Sequence, residues 1–133
     1  MKYLLYTCML FLLFACKKNR DKGKEPVEYH WLVGKWKLKQ SAISTGGPLE
    51  IRPADPNNPV YIEFKSDGQF SASPAVANGN DHYRIDSNRI SLTSTSRPTA
   101  HVLKYVIGKE LLILYPIDPA CIEGCYNVYT LVR

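Results

Sequence analysis

Cys121 and Cys125 are the residues whose type and spacing most directly suggest chemistry. Three residues lie between them, with Pro119 just ahead and Gly124 inside the interval, a composition that turns the backbone where two thiols could meet. In an oxidising compartment their default state is a disulfide. The sharper readings are a redox pair or half a metal site. Redox pairs usually keep two intervening residues, and a zinc site needs four ligands, for which no partner spacing is visible. His30, His82 and His101 are scattered, and the last two alternate with apolar neighbours in a way that places them towards solvent. The acidic residues fall at turns and at outward strand positions, where solvation accounts for them. No Ser/His/Asp order, paired carboxylate or phosphate-cradling glycine loop stands in a fitting context. The sequence therefore argues against an enzyme and calls for no cofactor and no metal.

The N-terminus bears on the compartment. Lys2 precedes an apolar run over 3–15, too short for a spanning helix, which needs about 20 apolar residues. A short positive region followed by a short apolar one has the layout of a signal peptide. The run ends in Leu13-Phe14-Ala15-Cys16. This resembles the bacterial lipobox, with Leu three before the cysteine, a small residue just before it, then the cysteine itself. The resemblance implies that 1–15 is removed as a lipoprotein signal peptide, taking Cys8 with it, and that Cys16 becomes the lipidated first residue of the mature chain. Several acyl chains give stable attachment, where one alone binds marginally. The implied partner is a membrane, reached through N-terminal acyl chains, and an exported protein makes the Cys121–Cys125 bond the expected state.

Residues 17–26 carry five basic and two acidic side chains and almost nothing apolar, so 16–26 reads as the lipidated cysteine and a flexible basic tether. Most of the formal charge of +5 resides in Lys2 and this tether, because 27–133 holds 11 basic and 10 acidic residues. A nearly neutral folded region removes the case for nucleic-acid binding, which needs a basic patch on the folded surface. The tether suits anionic headgroups instead. It lacks both an Asp directly after Cys16 and an acidic cluster, which by the same resemblance points to a cell-envelope location, the outer membrane facing the periplasm.

The residues from 27 to 133 are enough for one core. Their alternation has period two, the mark of half-buried strands. Strands are expected over 34–40, 60–65, 69–73, 82–86, 89–93, 101–107, 111–115 and 125–132. Trp36 and Leu38 point one way in the first, against Lys35, Lys37 and Lys39; Ile62, Phe64, Phe70, Ile85, Ile90, Leu92, Leu103 and Ile107 continue the inward set. Facing residues of an antiparallel pair share a side, which tests each turn. A three-residue loop, Ser66-Asp67-Gly68, pairs Phe64 with Phe70 and Ile62 with Ala72, and requires Gly68 in a left-handed conformation. A two-residue loop, Ser87-Asn88, pairs Ile85 with Ile90 and Tyr83 with Leu92. Residues 41–59, with four prolines and Gly46-Gly47, read as one long loop.

Eight strands joined in sequence predict an all-β, eight-stranded antiparallel up-and-down β-barrel, with an open sandwich or meander as the alternative. "LVGKWKL" resembles the lipocalin signature, in which Gly-x-Trp opens the first strand and the Trp closes one barrel end. Gly34 and Trp36 match it. By the same resemblance, Arg133 after "YTLV" corresponds to an arginine lying across that Trp, and the long loop corresponds to a lid. "YIEFKSDGQF" and "CIEGCYNVY" are similar to short lipocalin-like bacterial lipoproteins. The resemblance implies one small apolar ligand in the barrel, lined by Phe64, Phe70, Ala72, Tyr83 and Tyr105. The bulk of the inward residues argues for a filled barrel instead, a non-catalytic module docking on an envelope partner through an aromatic patch such as Tyr61 with Tyr126. An eight-stranded barrel permits either interior.

Overall fold

Trp36 and Leu38 alternate with three lysines, and the chain carries out that alternation by laying Trp36 into the core and leaving Lys35, Lys37 and Lys39 in water. A computed structural model describes residues 28–121 and 124–133. The lipobox cysteine Cys16, the signal segment and the tether lie outside the described residues. In chain order the elements are α1 (Glu28–Leu32), β1 (Gly34–Ile43), β2 (Glu50–Pro53), β3 (Tyr61–Phe64), β4 (Phe70–Ala72), α2 (Pro74–Ala77), β5 (His82–Asp86), β6 (Arg89–Ser94), β7 (Arg97–Ile107), β8 (Leu111–Asp118) and β9 (Tyr126–Leu131). No helix among the described residues is long and apolar enough to cross a membrane.

Eight of these strands form one antiparallel sheet in the order β4-β3-β1-β9-β8-β7-β6-β5. The two ends of that order meet. A bridge joins Gln69 to His82, flanked by the hydrogen bonds Phe70 N–H to Asp81 O at 2.8 Å and Tyr83 N–H to Gly68 O at 2.9 Å. The result is an all-β, nearly closed barrel, an architecture compatible with a lipocalin-like fold.

Each expected strand is present, and both expected hairpin registers are those observed. Phe64 pairs with Phe70 and Ile62 with Ala72. Gly68 has φ +86°, and its N–H reaches Lys65 O at 3.1 Å. Ile85 pairs with Ile90 and Tyr83 with Leu92 across Ser87, whose φ is +54°. The stretch expected to be a plain loop is in part β2, which runs beside the upper half of β1 with Gln40 facing Pro53 and Ala42 facing Ile51. Pro53 is tolerated because it ends a strand with only one neighbour, where a missing N–H breaks no second ladder.

The barrel has two unlike ends. At one lie the turns at 65–69, 87–88 and 108–110, together with α1 and the C-terminal residues. Trp36, Phe64, Leu32, Ile90 and Leu112 are the largest fully buried side chains, and all sit towards this end. Phe64 packs between Phe70 at 5.2 Å and Tyr83 at 5.0 Å, ring centre to ring centre. Leu32 plugs the end from α1. The opposite end carries α2, the β6–β7 turn and the β8–β9 connection with its Cys121–Cys125 disulfide.

Candidate binding cavity

The plugged half of the barrel is solid, and the other half is not. A cavity of about 410 Å³ opens at the α2 end. Its apolar wall includes Ile62, Phe70, Leu92, Leu103 and Leu114, core residues of which Ile62, Leu92 and Leu114 stand two positions along their strands from the sealed Phe64, Ile90 and Leu112. Val76 of α2 covers it from the side, and Pro119 and Cys121 form part of its rim. This volume falls in the range of small-molecule sites, roughly 300–1,000 Å³.

The hollow arises from strand length and local backbone. β4 is only three residues long, so above Ala72 the wall between β3 and β5 is completed by α2 rather than by a strand. Ser73 serves both segments: its N–H bonds Tyr61 O at 2.8 Å, its Oγ accepts the Tyr61 N–H at 2.9 Å, and its carbonyl accepts from Val76 and Ala77. The helix ends at Asn78 with φ +44°, followed by Gly79 with φ +74°. That double left-handed step turns the chain inward and sets Asn80 against the cavity.

Besides Asn78 at the end of α2 and Asp118 at the rim, four polar side chains border this space. Asn80 is 7% exposed as a residue; no described residue hydrogen-bonds its carboxamide, and since no described side-chain nitrogen or oxygen is both sealed and unpartnered, that group opens onto the cavity. Asn127 and Tyr129 project inward from β9, which settles the inward side of that strand. Burial pushes the Tyr129 phenol up to about 12, an effect partly offset by its hydrogen bond with the Asn127 side chain. His101 is the fourth. It was expected towards solvent but shares the parity of Leu103 and faces the buried Leu92, so strand geometry overrides its polarity. Asp118 stands exposed at the rim. Among the described residues, no three of His, Cys, Asp and Glu come together as a metal-binding group.

Of the residues expected to line a ligand, Phe70 borders the cavity. Phe64, Tyr83 and Tyr105 are core residues that do not border it, and Ala72, paired with Ile62, packs on the core without lining it. The two tyrosine hydroxyls point at closed-end turns, Tyr83 donating to Lys65 O at 2.6 Å and Tyr105 to Ser87 O at 3.1 Å. No residue of 44–60 lines the cavity, so the long β1–β3 connection is not its lid. At the closed end Gly34 opens β1 and Trp36 is sealed as the Gly-x-Trp resemblance implies, but the neighbour of the indole N–H is the Leu32 carbonyl. Arg133 does not lie across it; its guanidinium pairs with Glu110 on the surface. The expected patch of Tyr61 with Tyr126 is not formed. Lys35 lies over the Tyr61 ring at 4.6 Å, while Tyr126 packs on Tyr115 at 5.6 Å.

Sequence reasoning missed Asn80, Asn127 and Tyr129. The β9 pair could have been found by noting that Tyr129 must face inward if Leu131 does, both having the parity of a core residue. Asn80 carried no periodic signal, because its position follows from two left-handed residues that only the fold reveals. Neither a family model, a curated protein nor a solved structure matches this chain.

Proposed function

We propose that this protein is a lipid-anchored cell-envelope lipoprotein whose barrel binds one small, mostly apolar molecule, without catalysing a reaction. The observation that supports binding is the contrast within the barrel. One half is filled and plugged, while the other holds about 410 Å³ of apolar space with a few polar groups at its edge. A barrel used only as a docking block has no need of the hollow, and it costs packing contacts to leave one. The lipobox-like residues Leu13-Phe14-Ala15-Cys16 and the basic tether support the anchor and the envelope location.

The test is to express the full sequence in a Gram-negative host and isolate the protein from its envelope. Intact mass spectrometry is expected to show a chain that starts at Cys16 with acyl chains added, and two hydrogens short for the 121–125 bond. Native spectra are expected to show an additional mass that leaves on organic extraction. The emptied protein should take up N-phenyl-1-naphthylamine, a neutral apolar dye, with increased fluorescence. A protein that carries no extra mass and leaves the dye dark is not a binder of this kind.

A further inference from the structure

The Asn80 carboxamide offers two donors and an acceptor, is 7% exposed, borders the cavity, and has no hydrogen-bond partner among the described residues. Among the described residues no side-chain nitrogen or oxygen is both sealed from solvent and unpartnered, so this carboxamide opens onto the cavity, and a ligand that displaces its water has to replace the lost hydrogen bonds. The character of that complement follows from the rest of the lining. Among the described residues no Lys or Arg borders the cavity, and the formal charge at the rim, Asp118, is negative. The imidazole of His101 is the one basic side chain among the described lining residues, so a carboxylate or phosphate entering here would lose its water with no lysine or arginine to meet it and with the Asp118 carboxylate at the rim. Asn127 and Tyr129 are neutral groups that both donate and accept. Tyr129 stays protonated throughout the physiological range, since burial holds it near 12.

We propose that the ligand of this cavity is an uncharged molecule with an apolar body and an amide-like group, whose adjacent donor and acceptor pair with the carboxamide of Asn80. This rests on the reading of the cavity as a binding site and narrows it to a ligand class. A carboxamide matches an amide edge two bonds at a time, as it does when Asn reads the donor–acceptor edge of adenine. With a ligand seated against the apolar wall of Ile62, Phe70, Leu92 and Leu114, water would be displaced from that pair, which makes a missing partner costly. A site built around such a pair discriminates by hydrogen bonding far more strongly than by apolar fit.

The experiment is displacement of N-phenyl-1-naphthylamine from the extracted full-length protein by octanamide, octanoate, octylammonium and N,N-dimethyloctanamide. Octanamide is expected to compete about tenfold better than octanoate, and about tenfold better than the dimethyl compound, which keeps the carbonyl but has no N–H. In Asn80→Leu the dye should still bind while the preference for octanamide collapses to within about twofold. The dimethyl comparison on the unaltered protein decides the matter even if Asn80→Leu does not fold. Dye binding with octanoate or the dimethyl compound equal to octanamide overturns the amide assignment and leaves the binding site standing. Octanamide preference that survives in a folded Asn80→Leu overturns the role of Asn80. A protein that binds neither dye nor amphiphile overturns the binding reading itself, and this inference with it.

Discussion

Trp36 donates its indole N–H to the carbonyl oxygen of Leu32 at 2.9 Å, with both residues sealed from solvent. One bond thereby ties the plug helix to the first strand and satisfies a carbonyl that water does not reach. Trp36→Phe keeps an aromatic ring but leaves that carbonyl bare. The expected loss is roughly 1–3 kcal/mol, and Trp36→Ala should cost about 3–5 kcal/mol. Urea unfolding followed by far-UV circular dichroism measures both. Equal stability of Trp36→Phe and the parent would show that the bond holds nothing.

Gly68 carries φ +86° in the β3–β4 turn, whereas Gly108 in the β7–β8 turn has no such constraint. A Cβ at Gly68 would meet only the Tyr83 carbonyl, at an ordinary 3.7 Å, so the cost there is conformational rather than steric. Gly68→Ala should lower stability by about 1 kcal/mol or more, and Gly108→Ala should be close to neutral. Midpoints of chemical unfolding for the two variants, measured side by side, check the difference.

The barrel's hairpins are legible in the sequence because parity leaves little freedom. Once Phe64 and Ile62 face inward, only a three-residue loop puts Phe70 and Ala72 beside them. The same rule, applied to His101 against Leu103, would have turned that histidine inward; weighing its polarity above its parity gave the wrong side. The cavity was not legible. It depends on β4 stopping at Ala72, on a four-residue helix finishing the wall, and on two left-handed residues ahead of Asn80. These are differences in where strands end, and alternation records only which side of a strand a residue takes. Most of the expected ligand residues are core residues that do not border the cavity for the same reason, since bulky inward residues are what fill a barrel.

Asp81 clasps the seam from the loop before β5. It accepts hydrogen bonds from the Thr95 hydroxyl and backbone N–H, and it bonds His82 Nδ1 at 2.7 Å. These, the Thr95 hydroxyl first, lower its carboxyl to about 2. A depressed folded-state value gives stability that is present above the unfolded value near 3.8 and lost as pH falls through it towards 2. Because the group is exposed, solvent screens much of the effect. Melting temperatures between pH 2 and 7 should show a shallower acid decline in Asp81→Asn than in the parent. Parallel curves would remove Asp81 from the acid response.

Tyr129 gives the alkaline counterpart. Its folded value near 12 lies above the ordinary 10.0 because burial disfavours the phenolate. The unfolded chain then loses its proton first, so stability is intact below pH 10 and declines as pH rises from 10 towards 12. Tyr129→Phe should flatten that decline. Unfolding midpoints at pH 9, 10 and 11 test it, and an unchanged slope would place the alkaline sensitivity elsewhere.

The Cys121–Cys125 bond closes a ring with a sequence separation of four, with its Cα atoms 5.7 Å apart. So short a ring restrains the unfolded chain by roughly 2 kcal/mol on a loop-entropy account. Cys121→Ser with Cys125→Ser should lose about that much, measured by urea unfolding. Cys121 also borders the cavity, so dye affinity should fall in the same variant.

The chain enters the barrel at its plugged end, through α1, and the cavity opens at the other. This gives the molecule a direction. Only eleven residues separate Cys16 from Glu28, a reach of about 40 Å at full extension. In the lipoprotein proposed above, the tether joins the barrel at its base, and the mouth lies at the end away from that join.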